Sequence, residues 1–324
     1  MDPLFLFSLP RSGSTFCQRI LAAHSDISTV NEPHFLLPFL FSNKDWAVRS
    51  TYNHHYASFA VQDFCNTLPN GEEDYLNEIK ELALRLYHKS APEQGGRYFL
   101  DKTPKYHFIV EDIIKLFPEG KFIFLWRHPL SVVASIMQTW RAGGWNTFHF
   151  DVDLYQGIDQ LIRAYIENQN EVCAIRYEDV VLEPEKTWKY VFEYLDLPFE
   201  PEILDNFSEI KLEGRVTDPN SKKEAYQSIQ EAPLHKWKQI MSNPLRKSWS
   251  RRYLKWLGEE RLAIMGYKLQ DLLAEVDALP TNSNHFMTDL YRMPLGSAYH
   301  LFELQLMGRK YKKWRSGERF YLHY

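Results

Sequence analysis

Five consecutive residues, Arg11, Ser12, Gly13, Ser14 and Thr15, have the side chains and the setting to hold an anion. They follow an apolar run at residues 4–8 and lead directly into a helical pattern over 14–24. At such a strand-to-helix junction, successive backbone N–H groups and the helix N-terminus point to one place, which suits a phosphate. Gly13 permits close backbone approach, Ser14 and Thr15 add hydroxyl donors, and Arg11 adds a fixed charge. Against the triphosphate loop G-x-x-x-x-G-K-[ST], Ser8 stands at the first glycine and Ser14 at the lysine. Loss of that lysine argues against ATP or GTP hydrolysis. A tight turn with no ligand is the plain reading of the same residues.

A second anion-suited site is Arg127, at the end of the apolar run KFIFLW, with Ser135 eight residues later. The carboxyl end of a buried strand is where ligands bind in open α/β sheets. Ser135 falls about two turns into the next helix, so both residues meet one ligand only if it lies alongside that helix.

The elements that must position these residues alternate. Apolar segments at 4–8, 98–100, 121–126 and 172–176 read as strands, and 14–24, 73–89, 153–170 and 183–195 read as helices. Thr103 is expected to cap a helix opened by Pro104, and Pro129 to open another. Strands separated by helices predict an α/β fold with a central parallel sheet covered on both faces. Past residue 218 the pattern is helical and ends in an aromatic, basic tail, so the expected division is a main domain over 1–280 and a packed extension over 281–324.

The totals agree with a single large globular body. The chain has 324 residues, 44% hydrophobic and 25% charged, which excludes intrinsic disorder. A net charge of −4 argues against a general nucleic-acid binder, so any anion must be held by a few placed residues. Three cysteines, Cys17, Cys65 and Cys173, make a disulfide framework unexpected and favour a reducing compartment. No secretory leader or membrane-length apolar window is visible, and a cytoplasmic location is expected.

Taken together, strand-PRSGST-helix, DKTP at 101–104, strand-R-x-P-x-x-x-x-x-S-helix and RYEDV at 176–180 resemble the PAPS-dependent sulfotransferases. PAPS is 3′-phosphoadenosine 5′-phosphosulfate. The arginine-bearing first loop is closer to the tyrosylprotein and carbohydrate enzymes than to the cytosolic phenol and steroid branch. The resemblance covers about residues 4–240. It implies a three-layer fold of the P-loop nucleotide-hydrolase type with helical C-terminal additions, PAPS as donor, PAP as product and no metal. It assigns Arg11, Ser12, Gly13, Ser14 and Thr15 to the 5′-phosphosulfate, Arg127 and Ser135 to the 3′-phosphate, Tyr177 to the adenosine and Lys236 to a late phosphate contact. It offers Thr217 or Ser221 as a further polar contact.

The same resemblance makes Glu32 the general base and Lys102 the cation at the bridging oxygen of the leaving phosphate. Partial burial is expected to raise the pKa of Glu32, and His34 is a second candidate base. The implied reaction is in-line sulfuryl transfer to an acceptor hydroxyl on a carbohydrate, glycolipid or small metabolite. Rings and histidines at 53–56 and at Trp140, Trp145, Phe148 and His149 are expected near the cleft, where they either stack on an acceptor or simply pack. The basic cluster at 309–315 reads as a solvated tail end or as a contact for an anionic membrane surface. Two other functions use the same kind of sheet. A nucleotide-dependent kinase requires magnesium and a lysine at Ser14, and a silent nucleotide-binding module binds without transfer.

Overall fold

The computed structural model describes residues 1–44, 48, 53–91, 96–212, 228–301, 307–308, 311–312 and 315–316. Thr217, Ser221 and most of the basic cluster at 309–315 lie outside the described residues. Five strands form one sheet: β1 (Asp2–Phe7), β2 (Ile27–Thr29), β3 (Tyr98–Asp101), β4 (Lys121–Trp126) and β5 (Cys173–Arg176). Their spatial order is β2-β3-β1-β4-β5, and every pair is parallel. Four were predicted from sequence to within a few residues. The three-residue β2 was not, because Ile-Ser-Thr is too short to show a period.

Alternation along the strands sorts the core into two layers. Phe5, Phe7, Phe122, Phe124 and Trp126 turn to one face, and Leu4, Leu6, Ile123 and Leu125 turn to the other. The first face is therefore aromatic: Phe5 stacks on Phe7 and Phe122 at centroid distances of 5.9 Å each, beneath the Pro129–Arg141 and Ile158–Asn168 helices. The second face is mainly aliphatic and is covered by Ser14–Ala22 and Pro184–Tyr194. Much of the surplus of rings is thus core.

Two predicted elements differ in kind. Pro104 opens a 3₁₀ turn, Pro104–Phe108, and an α-helix follows only from Val110–Leu116. Thr103 makes no cap; its hydroxyl accepts from the His34 N–H at 3.2 Å and donates toward buried Asp101. The segment read as one helix from Asp153 begins as a π-turn, Val152–Gly157, before the α-helix Ile158–Asn168. Past residue 218 the described elements are helices, Ala232–Ile240, Pro244–Ile264, Leu269–Ala278 and Phe286–Leu301. Among the described residues no helix is long and apolar enough to cross a membrane.

Candidate active site

Parallel strands deliver their carboxyl ends to one edge of the sheet, and the candidate residues leave the strands there. Arg11 to Thr15 follow β1, Glu32 is three residues past β2, Lys102 follows β3, Arg127 follows β4 and Tyr177 follows β5. This edge, near a reversal of strand order, is the expected ligand crevice of an open α/β sheet.

The first loop is wound by two residues in the left-handed region, Arg11 at φ 70° and Gly13 at φ 94°. Gly13 precedes the helix Ser14–Ala22, whose first turn holds no acidic residue and no side-chain cap. Phe16 is the first residue to bond its N–H inside, to Gly13 O at 3.0 Å, so the positive end of the helix stays open to an anion. Gly13 is also required by packing. A Cβ there would lie 2.4 Å from the Tyr177 ring.

Arg127 joins this loop to the second site. It is 8% exposed, donates to Arg11 O at 2.9 Å and Pro233 O at 3.2 Å, and lies 4.3 Å from the Tyr177 ring centroid. Among the described residues no carboxylate pairs with it, and its Nε has no partner. Arg11 Nε reaches Ser135 Oγ at 3.4 Å, so Ser135 does lie alongside the loop. Next to Arg127, buried His128 packs on Trp237 at 4.6 Å; burial first, and then the Arg127 charge, lowers its pKa to about 3. The ring is therefore neutral, and the positive charge here is that of Arg127. A buried guanidinium without a counter-ion, beside open N–H groups, fits a phosphorylated ligand. Lys236 is exposed on the Ala232–Ile240 helix, and the residue of that helix touching Arg127 is Pro233.

Lys102 has no exposed surface. Its Nζ donates to Thr15 Oγ1 at 3.3 Å and to Glu32 Oε1 at 2.7 Å, linking the first loop to the candidate base. His34 Nε2 stands 3.5 Å from the other Glu32 oxygen. Burial is the largest single influence on Glu32 and raises its pKa. The His34 ring and the charge and hydrogen bond of Lys102 together outweigh it, and the pKa falls below the ordinary 4.5. This corrects the expected rise, which took burial alone into account.

Sequence reasoning missed the groups that hold Glu32 in place. Gln18 Nε2, fully buried, donates to Thr29 Oγ1 at 2.9 Å and Val30 O at 2.8 Å, fixing the segment between β2 and Glu32. Its visible signal is an uncharged amide on the apolar face of the first helix. Asp101 is fully buried and accepts from Tyr87 at 2.7 Å and Tyr106 at 2.9 Å; burial, partly offset by these bonds, raises its pKa to about 6. The expected ring cluster divides. Trp145 and Phe148 are buried, and Trp140 is exposed. His54 Nε2 donates to Lys44 O at 2.7 Å, and among the described residues no group of three ligands could hold a metal ion. The three cysteines are buried free thiols.

A family model described as "Sulfotransferase family" matches residues 3–201. The chain is similar to "Nodulation protein NoeE" of Sinorhizobium fredii (strain NBRC 101917 / NGR234), 30% identical over 138 residues, 42% of this chain and 31% of that protein. It is similar to "Protein-tyrosine sulfotransferase 1" of Danio rerio, 23% identical over 227 residues, 67% of this chain and 59% of that protein. The matches thus span less than two thirds of these relatives. Among solved structures, a "Sulfotransferase Domain from the Curacin Biosynthetic Pathway" superposes with a TM-score of 0.54 at 27% identity, covering 78% of this chain and 96% of that one.

Proposed function

Since the chain belongs to the sulfotransferase family, we propose that it moves the sulfuryl group of PAPS to an acceptor hydroxyl, with Glu32 as general base and Lys102 as the cation at the leaving phosphate. One observation carries the reading: Lys102, with no exposed surface, bridges Thr15 of the anion loop and Glu32. A donor loop and a base within reach of one buried cation are what in-line transfer needs.

The roles follow from the side chains. Arg11 to Thr15 would hold the 5′ end of the donor, where it presents the sulfuryl group for transfer. Arg127 and Ser135 would hold the separate 3′-phosphate, and Tyr177 would pack against the adenosine. Glu32 accepts the acceptor's proton as its oxygen attacks sulfur. Lys102 meets charge that grows only in the transition state, the kind of contact that raises kcat. In the donor-free chain Lys102 instead pairs with Glu32 and weakens it as a base. When Lys102 turns to the leaving oxygen, Glu32 loses one of the two partners that lower its pKa, and its proton affinity rises. Base strength is then greatest with donor in place. Relatives named for protein tyrosine support a hydroxyl-bearing acceptor.

Thermal shift separates this reading from a kinase. The 3′,5′-bisphosphate PAP should raise the melting temperature without magnesium, whereas stabilisation only by ATP with magnesium contradicts the reading. Glu32→Gln should keep the PAP response and lose about 10²–10⁴-fold in kcat. Near-wild-type turnover by that variant removes Glu32 from the base role.

A further inference from the structure

The helices Pro244–Ile264 and Phe286–Leu301, both beyond residues 3–201, line a half-open cavity of about 610 Å³ against the segment 145–155. Its size lies within the range of small-molecule sites. Its walls combine indole and phenol rings (Trp145, Trp249, Tyr155) with polar groups of both signs and none (Asp151, Arg252, Ser248).

The rings form a continuous packed series. Trp249 meets Trp145 edge-on at 5.0 Å and stacks on Tyr253 at 4.9 Å, and Tyr155 packs edge-on against Tyr253 at 5.5 Å. Trp145 is buried, whereas Trp249 and Tyr155 remain part-exposed. Asp151 and Arg252 act with opposite sign on the Tyr155 phenol, whose pKa burial raises. The lining is therefore not of one sign, which disfavours an anion, and its apolar side chains, Leu245, Leu290 and Met293 among them, are mixed with charged and hydroxyl groups, which disfavours an acyl chain. Flat apolar faces edged by hydroxyl, carboxylate and guanidinium groups match a neutral ring with C–H faces and equatorial hydroxyls.

The cavity is also held in shape without a ligand. Arg246 and Asp289, both buried, pair at 2.6 Å and 3.0 Å, and Arg246 donates to Gly143 O at 2.9 Å. Arg292 donates to Trp145 O at 2.8 Å. A Cβ at Gly296 would lie 3.0 Å from Phe148 Cβ, so this glycine lets the last helix approach closely.

One turn connects the cavity to the reaction site. The π-turn Val152–Gly157 supplies Tyr155 to the cavity and Asp153 to the other side. Asp153 pairs with Lys105 at 2.5 Å and with His107 at 2.8 Å, in the turn that follows Lys102. π-turns of this kind concentrate at functional sites.

We propose that this cavity is a saccharide subsite, holding a sugar ring of the acceptor away from the hydroxyl that is sulfated. The second half rests on the sulfuryl-transfer reading; the binding itself does not. The test titrates the full chain with glucose, N-acetylglucosamine, cellobiose and chitobiose to tens of millimolar, following tryptophan fluorescence and calorimetric heat. At least one sugar should bind saturably. Ser248→Phe and Arg252→Ala change exposed residues and should weaken that binding by about tenfold or more, with the PAP thermal shift unchanged.

Silence toward all four sugars overturns the proposal, as does binding that both variants retain, or binding of dodecanol in their place. A normal PAP response beside sugar silence removes the subsite and leaves sulfuryl transfer standing. With nitrophenyl glycosides of disaccharides and longer oligomers of the bound sugar as acceptors, Ser248→Phe should raise KM about tenfold and hold kcat. Sugar binding without sulfation of any such glycoside refutes the acceptor half.

Discussion

Lys102 concentrates the chemistry of this chain in one side chain. A lysine with no exposed surface must have partners, and these include Thr15 and Glu32, at 3.3 Å and 2.7 Å. The pair is one of the influences on the ionisation of the base. Glu32 titrates below 4.5 because Lys102 and His34 overcome burial. Replacing Lys102 by Met removes one of those two partners and leaves burial in place, so the Glu32 pKa should rise. Carboxyl carbon NMR of the donor-free chain reads this directly, and an unmoved titration would show that the ion pair does not control the base. The sign has a stability counterpart. A depressed carboxyl contributes stability above its unfolded pKa and loses it as pH falls through the folded one. Lys102→Met should therefore flatten the acid side of the stability curve. That Glu32 and Lys102 were legible in sequence owed to short motifs. That they touch was not, because seventy residues separate them.

At the scale of elements, the strand ends do the assembling. Each of the five parallel strands is followed within four residues by a candidate group, and the shared carboxyl edge gathers them. Gly13 shows how closely the loops then pack. With φ at 94° and the Tyr177 ring 2.4 Å from any added Cβ, Gly13→Ala meets both backbone strain and a clash. It should cost about 2–3 kcal/mol in denaturant unfolding and abolish the PAP thermal shift. Tyr177→Ala in the same chain should restore part of the stability but not the PAP response. Full recovery of both would place the defect in the clash alone, and no recovery would place it in the backbone. Local apolarity was enough to find four strands, since each of them holds at least three consecutive apolar residues. It failed at β2, the element that presents Glu32. There three residues take their strand form from pairing with β3, through Ile27–Tyr98 to Thr29–Leu100.

For the molecule as a whole, a net charge of −4 conceals an anion site built from very few cations. His128 is held neutral, so Arg127, Arg11 and Lys102 carry the positive field at the sheet edge. Arg246 and Asp289 join the helix Pro244–Ile264 to the last helix, Phe286–Leu301, and Arg246 also donates to Gly143 O. Asp289→Asn leaves the buried guanidinium without its counter-ion and should cost about 3–5 kcal/mol. A loss below about 1 kcal/mol in denaturant titration would mean the pair is not what secures the last helix. By itself the sequence determined the alternating α/β order, the anion-suited loops and the identity of the charged residues. These depend on neighbours within a turn or a strand, where spacing and side-chain chemistry act locally. Only the tertiary structure decided that Lys102 meets Glu32, that Tyr177 excludes a side chain at Gly13, that His34 and Lys102 outweigh burial at the base, and that residues 145–155 and 245–296 line a cavity. Those outcomes depend on distances between segments far apart in the chain, and electrostatics and close packing act through such distances in space.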